Sequence, residues 1–402
     1  MKGAITVYFN ETKVGVLIEA RGGIFFEYDP GFIDLGIELS PLNLPLGSGL
    51  RSRAGVPEMR LPGLFEDSLP DRWGHRIMAE WFLRRGTKEH QVSPLMMLSY
   101  VGDHGMGALR YEPALLTETL GEVSLQAVHA AAMEAEQTGK IDLNALAEVG
   151  SSAGGARPKA LIGLPDEGEG PVLAGTRALP RGYSGWLVKF DTGSVPGMGA
   201  MEEAYARMAR AAGIEVPETR LIETLSQEGP GRRHFAVRRF DRIGNERVHY
   251  HSLSGLCHLG GGDFDYQLFL RVVRRIARDE REVWKAYRRA VFNVLASNRD
   301  DHGKNQGFLM HGKDWKLSPV FDLTFMSPRT LPERGMALCG ERRAAGLEHL
   351  KLLAQREGLE TKRALEIIDE VKSAIELWPD FADRCEVPQA LASGIATVLK
   401  SH

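Results

Sequence analysis

In "NRDDHGKNQGFLM", residues 298–310, Asp300 and Asn305 stand five apart with Asp301, His302 and Lys304 between them. Two apolar runs follow, "QGFLM" and "KLSPVFDL", separated by "HGKDW". That pattern predicts a β-hairpin whose second strand ends on Asp322. An aspartate, four residues, an asparagine and a hairpin returning a second aspartate is the layout that phosphoryl transfer of the protein-kinase type uses. One carboxylate must accept a hydroxyl proton beside the γ-phosphate. An amide oxygen and a second carboxylate then suit Mg²⁺, which takes oxygen ligands and keeps part of its water. Asp and Asn are also common loop residues, so a metal-binding loop or an ordinary polar turn fits the spacing as well. Asp301 reads as a solvated or capping side chain, and His302 either orients the loop or touches nucleotide.

The same chemistry needs a strand lysine paired with a helix glutamate. Lys189, in "GWLVKFDT", is a charge in an otherwise apolar strand, where a solvated strand face is the competing explanation. Glu202 is expected to open the next helix, with Glu203 beside it. Helix phase does not choose between them, and acids at helix starts are favoured by the dipole in any case. A third stretch, "SSAGGARPK" at 151–159, has small residues that let backbone approach phosphate oxygens. Its N–H groups can form an anion nest, and Lys159 adds charge. It is neither a Walker A loop nor G-x-G-x-x-G, and a flexible turn explains it equally.

The elements that must position these residues follow in order. "AITVYFN", "KVGVLIEA" and "GIFFEYDP" alternate like strands of a small antiparallel sheet, the first two joined at Asn10-Glu11-Thr12. Ile77, Trp81 and Phe82 fall at helical spacing, with Gly86 as a stop. "YEPAL" at 111–115 marks a boundary, and an alanine-rich helix is expected over 120–137. Strands at "KALIGL", "GYSGWLVKFDT", "TRLIET" and "RHFAVRRFDRIG" alternate with a helix from "MEEAYARMARAAG". From about 250 the pattern is mainly helical, interrupted by the polar stretch and its hairpin. The order predicts an α+β protein of two lobes with a ligand-holding cleft. Three domains are expected, over 1–115, 116–250 and 251–402.

Composition narrows the class. The 402 residues are 43% hydrophobic, and 50 basic against 53 acidic residues give a net charge of −3. That balance provides no global field for nucleic acid or anionic membrane. Cys257, Cys339 and Cys385 share no metal-ligand spacing and suit a reducing compartment. No apolar leader or 18-residue apolar run occurs, so a cytoplasmic protein without membrane contact is expected.

With "SSAGGARPKA", "WLVKF", "VRRFDR", "NRDDHGKN" and "SPVFDL" in that order, and "LFEDSLPDRW" ahead of them, the sequence resembles the HipA family over nearly its whole length. The members are serine/threonine-protein kinases acting as toxins of bacterial type II toxin–antitoxin modules. The resemblance implies a two-lobed protein-kinase-like fold, with an extra N-terminal subdomain before the strand-rich lobe and a mainly helical C-terminal lobe. It implies ATP and Mg²⁺ as cofactors, Asp300 as proton acceptor, Asn305 and Asp322 as metal ligands, and a Lys189–Glu202 ion pair. Gly154, Gly155, Ala156, Arg157, Pro158 and Lys159 would form the phosphate loop, and Arg238, Arg239 and Phe240 the adenine-reading segment. His302, Lys304 and Phe321 would complete the ATP contacts, and Ser152 matches the family's autophosphorylated serine. A protein substrate is implied, aminoacyl-tRNA synthetases being attacked by relatives. A HipB-like DNA-binding antitoxin is also implied, with DNA reached mainly through it. Four departures stand out: Arg238 replaces an expected acid, Arg157-Pro158 a more polar pair, Asp322 is followed by Leu323-Thr324, and Ser151 adjoins Ser152. A small-molecule kinase of the aminoglycoside-phosphotransferase type and a non-catalytic corepressor are the alternatives; intact Asp300, Asn305, Asp322 and Lys189 count against the second.

Overall fold

The computed structural model describes residues 3–20, 23–52, 59–116, 121–150, 155–176, 178–224, 231–260 and 264–400. The chain divides into two compact units. One comprises Met1–Ser194, Ile222–His251 and Gly255–His258, and the other Val195–Leu221, Ser252–Ser254 and Leu259–His402.

The first unit is strand-rich. Strands β1 (Ala4–Phe9), β2 (Thr12–Ala20) and β3 (Gly23–Tyr28) form the antiparallel meander expected from their alternation. Every second residue of β3, Ile24, Phe26 and Tyr28, is buried, as a sheet with one covered face requires. A two-residue strand at Arg51–Ser52 lies beside β3, and β4 (Leu109–Glu112) closes the other edge against β1. Helix α1 (Arg72–Leu83) follows the 3.6-residue spacing of Trp73, Ile77 and Trp81, all buried, and the chain turns away at Gly86 (φ 81°).

The second sheet of this unit has the order Leu173–Ala174, β5 (Lys159–Pro165), β6 (Tyr183–Lys189), β8 (Arg232–Arg238), β7 (Thr219–Thr224). The unit boundary falls inside β7, before Ile222. Helices α2 (Leu125–Thr138) and α3 (Leu143–Gly150) pack with α1 on Ala160, Ile162, Trp186 and Val188 of the sheet. The alanine-rich helix thus starts later than its composition suggests. Ser124 caps it, accepting from the Ala127 N–H at 3.3 Å, while Glu122 is bridged to Leu173.

The second unit is mainly helical. Helix α4 (Met198–Ala211) begins just after Gly197, four residues before Glu202, so Glu202 does not open it. Helices α5 (Tyr266–Ala277) and α6 (Glu280–Leu295) each start on an aspartate cap, Asp265 and Asp279. The loop of Asp300 follows α6, and a hairpin of β9 (Gly307–His311) and β10 (Asp314–Leu317) follows the loop. Four helices complete the chain: Leu347–Arg356, Thr361–Glu376, Trp378–Arg384 and Gln389–Leu399. Among the described residues no helix is long and apolar enough to cross a membrane.

Candidate active site

The loop after α6 is built on a buried base. Asp301, expected to be solvated or capping, is instead buried and paired with Arg334 at 3.1 Å. Arg334 also donates to the Asn293 carbonyl at 2.7 Å and the Asn298 carbonyl at 2.8 Å. The Tyr266 hydroxyl donates to Asp301 Oδ2 at 2.5 Å, and the Met336 N–H to Oδ1 at 3.3 Å. Burial raises the Tyr266 hydroxyl well above its ordinary value, with the Asp301 carboxylate adding to that, so Tyr266 stays a donor. The carboxylate of Asp301 thus ties the loop to α5, to the end of α6 and to the segment around Arg334. Its neighbour Asp300 has 43% of its side chain exposed, and His302 Nε2 lies 3.8 Å from its Oδ1. One aspartate anchors and the next is presented.

Asn305 Nδ2 donates to the Asp300 carbonyl at 2.9 Å, and Asn305 N–H to the His302 carbonyl at 2.9 Å. The first bond uses the amide nitrogen and leaves Oδ1 as the acceptor for a cation. Beyond the hairpin, Ser318 N–H donates to the Gly307 carbonyl at 2.9 Å, so the returning chain runs beside the loop's exit. The strand ends at Leu317, however, and not at Asp322 as expected. Pro319 has no N–H to continue the ladder. Asp322 follows in the left-handed region at φ 56°, half-buried beside half-buried Phe321. Among the described residues no group of three or more His, Cys, Asp or Glu could hold a metal. The Asn305 amide oxygen and the Asp322 carboxylate are donors of the kind that Mg²⁺ takes. Lys304 is exposed.

Glu202 and Glu203 lie in the second turn of α4, both buried, so a first-turn dipole role is removed for each. Glu203 Oε1 takes the Arg207 Nε–H at 2.7 Å within the same helix. Glu203 thus serves its own helix.

In the first unit Lys189 lies at the end of β6, and it is buried, not on a solvated face. Lys159, also buried, starts β5 directly opposite it. Gly155 has φ 90°, and a Cβ there would stand 2.3 Å from Lys159 Nζ, so only glycine suits the position. Pro158 is buried and its carbonyl accepts from the Phe190 N–H at 3.0 Å; Arg157 is half-buried and Ala156 exposed. Ser151, Ser152 and Gly154 lie outside the described residues.

The segment Arg238–Phe240 begins at the last residue of β8, Arg238 opposite Trp186, and leaves the sheet after it. Arg238 is exposed and donates to Ser184 Oγ at 2.6 Å. Arg239 is buried and donates to both oxygens of Asp241, at 2.9 and 2.6 Å, and to Thr176 Oγ1 at 2.7 Å. Burial would raise the Asp241 carboxyl, but the charges of Arg239 and Arg242 overcome this and hold it well below the carboxylate range. Arg239 is thus a structural guanidinium, its own N–H donating to the Gly185 carbonyl at 2.8 Å, and Phe240 is half-buried.

A feature that motif spacing missed lies two residues beyond Lys189. The Asp191 N–H donates to His234 Nδ1 at 3.0 Å, so the neutral ring carries its proton on Nε2, 2.8 Å from Thr224 Oγ1. Thr224 then donates to His129 Nδ1 at 3.0 Å, and His129 Nε2–H to the Asp191 carbonyl at 3.3 Å. The hydrogen bonds close on the residue where they began, joining α2, β7 and β8 behind the end of β6. Isolated histidines spread over 105 residues give no local signal for such an arrangement.

Two family descriptions match this chain: HipA N-terminal domain over residues 5–112, and HipA-like C-terminal domain over 151–378, more than half its length. Among curated proteins, Y4dM of Sinorhizobium fredii, which bears a provisional kinase name, is 27% identical over 237 residues, 54% of this chain and 56% of that protein. A Haemophilus influenzae protein with a similarly provisional kinase name is 23% identical over 195 residues, 44% of this chain and 54% of that one. The chain thus matches about half the length of these curated relatives. Among solved structures, a chain of the Shewanella oneidensis MR-1 toxin–antitoxin complex of HipA, HipB and operator DNA superposes with a TM-score of 0.69. The identity is 17%, and the match covers 98% of this chain and 95% of that one. The fold is accordingly of the α+β, kinase-like class.

Proposed function

The chain belongs to the HipA family, and on that premise we propose that it is an ATP- and Mg²⁺-dependent serine/threonine-protein kinase acting as the toxin of a toxin–antitoxin module. The observation that carries this reading is the division of labour in the loop after α6. Asp301 is consumed by Arg334, Asp300 is left half-exposed, and the amide nitrogen of Asn305 is spent on the Asp300 carbonyl. In this reading Asp300 accepts the proton of a substrate hydroxyl, while Asn305 Oδ1 and the Asp322 carboxylate hold Mg²⁺. The bound ion would supply charge compensation at the transferring phosphoryl group. The same reading assigns phosphate oxygens to Lys159 and Lys189 and adenine to the backbone of Arg238–Phe240.

The substrate in this reading is a cellular protein, with aminoacyl-tRNA synthetases the class the resemblance suggests, together with Ser152 of the chain itself. A HipB-like antitoxin is its partner, and DNA is reached through that partner, by analogy with the Shewanella complex of HipA, HipB and operator DNA. The test is to incubate the full chain with γ-labelled ATP, Mg²⁺ and a cell lysate, beside its Asp300→Asn variant. Labelled protein bands are expected with the first and none with the second. Label appearing only in small molecules would transfer the assignment to a small-molecule kinase, and label from both proteins would remove Asp300 from the mechanism.

A further inference from the structure

We propose that Asp71 and Trp73, at the start of α1, are positioning residues that hold the segment 155–159 in the shape that receives nucleotide phosphates. The inference rests on the kinase reading of that segment. Asp71 is the residue before the first turn of α1, with φ −77° and ψ −167°. An aspartate there ordinarily accepts an N–H of its own helix. Asp71 makes no such bond. Its Oδ2 accepts the N–H of Gly155 at 2.9 Å, 84 residues away in sequence.

The helix answers in kind. The Trp73 N–H, one of the donors that a helix start leaves without an internal partner, donates to the Gly155 carbonyl at 3.2 Å. Gly155 therefore stands where the helix's own cap would stand, with its N–H and its carbonyl both engaged. The Trp73 indole Nε1–H donates to the Lys159 carbonyl at 3.0 Å, and its ring is fully buried. Both ends of the five-residue stretch are thus pinned to one turn of one helix. Lys159 Nζ lies over the bare α-carbon of Gly155, so the carboxylate that sets Gly155 also sets the place of the ammonium group.

A helix that gives its capping carboxylate to a distant loop loses local stability, and the gain appears where phosphate would bind. With the Gly155 N–H spent on Asp71, the N–H groups that follow it at Ala156 and Arg157, together with Lys159, are pre-positioned for an anion, which reduces the ordering cost of binding. Adenosine, lacking phosphates, makes no use of this. The N-terminal domain of the chain thereby enters nucleotide recognition without contributing a ligand.

The test compares ATP and adenosine dissociation constants for the full chain and for Asp71→Ala, Asp71→Asn and Trp73→Phe, with hydrogen exchange followed in the peptide containing Gly155. Asp71→Ala should weaken ATP about tenfold, the loss of one charge-assisted hydrogen bond, and leave adenosine within about twofold. Asp71→Asn keeps an acceptor and should recover most of the affinity. Trp73→Phe removes only the indole donor and should fall between. Exchange at Gly155 should quicken in Asp71→Ala. Parallel weakening of ATP and adenosine, or unaltered ATP binding, overturns the inference, as does unchanged exchange at Gly155. A wild-type chain that binds neither nucleotide overturns the kinase reading itself, a distinguishable failure.

Discussion

Lys159 and Lys189 stand directly opposite each other on neighbouring antiparallel strands, at 3% and 8% exposure. Two ammonium groups side by side on one sheet face favour an anion bound to both. A nucleotide triphosphate at a hundredfold excess over its dissociation constant should therefore stabilise the chain by about 2.7 kcal/mol. Most of that gain should vanish in Lys189→Met. Thermal unfolding with and without ATP measures it, and equal gains in both proteins would dismiss the lysines as phosphate ligands.

Asp322 carries its side chain at φ 56°, a conformation that asparagine tolerates well and alanine less so. Asp322→Asn should fold normally by circular dichroism yet lose at least ~10³-fold in phosphotransfer, as expected when a charge stabilising the reacting centre is removed. Asp322→Ala should match that loss and be less stable by about 1 kcal/mol. Turnover within tenfold of wild type in either variant would show that the metal lies elsewhere.

Neighbouring aspartates should respond oppositely to truncation. Asp301→Ala leaves Arg334 charged in the interior and should cost about 3–5 kcal/mol in urea unfolding. Asp300→Ala, at a half-exposed carboxylate, should change stability by about 0.5 kcal/mol or less while abolishing transfer. Similar stability losses for the two would contradict their different surroundings.

Acid should weaken the fold through its buried histidines. Burial, reinforced by the charges of His129 and Arg232, pulls His234 from 6.5 down to about 3. Burial does the same to His249, also to about 3. Above pH 6.5 both states are neutral and the stability is fully present. As pH falls from 6.5 toward 3, the unfolded chain binds protons that the folded chain refuses, so stability declines by up to about 1.4 kcal/mol per pH unit for each histidine. Urea midpoints at pH 7.5 and 5 should show this decline, and His234→Gln should flatten it. An unchanged slope in that variant would assign the acid sensitivity to other groups.

Ser152 is the proposed self-modification site. A phosphoserine adds roughly −1.5 to −2 charges next to the segment offered to ATP phosphates, and should compete for the same donors. Slow loss of activity with ATP and Mg²⁺ is expected, with one phosphate on Ser152 and none on Ser151, and Ser152→Ala should block it. Mass spectrometry of the incubated protein decides the matter, and a phosphate mapped only outside 151–159 would exclude the switch.

The parts of this site that were legible in the sequence were those written in local order. The hairpin announced itself by two apolar runs around Gly312, and Lys189 by being a charge inside an apolar strand. Its end at Leu317 was obscured because an apolar pattern continues through Val320 and Phe321 after Pro319 has ended the ladder. The start of α4 was misjudged because Gly197, Met198 and Gly199 carry no helix-start signature. Asp301 looked like any loop acid because its partner, Arg334, lies 33 residues downstream. Asp71 was not singled out in the sequence, because nothing near it says that its carboxylate is spent 84 residues away. Local spacing encodes what neighbours do, and long-range pairing decides which of two adjacent acids is anchored and which is offered.

The circle of donors and acceptors through Asp191, His234, Thr224 and His129 has an evolutionary consequence. A circuit has no terminal member that can be dropped harmlessly. Replacing any one of its three side chains by an apolar residue strands a buried partner, at about 1–3 kcal/mol. Replacing all three with residues of matching shape strands no side chain and leaves only the Asp191 N–H and carbonyl to be satisfied elsewhere. Descendants of this chain are therefore expected to keep the trio intact or to exchange it wholesale, with gradual drift disfavoured. In an alignment, His129, Thr224 and His234 should rise and fall together as one inherited character, although 105 residues separate the first from the last.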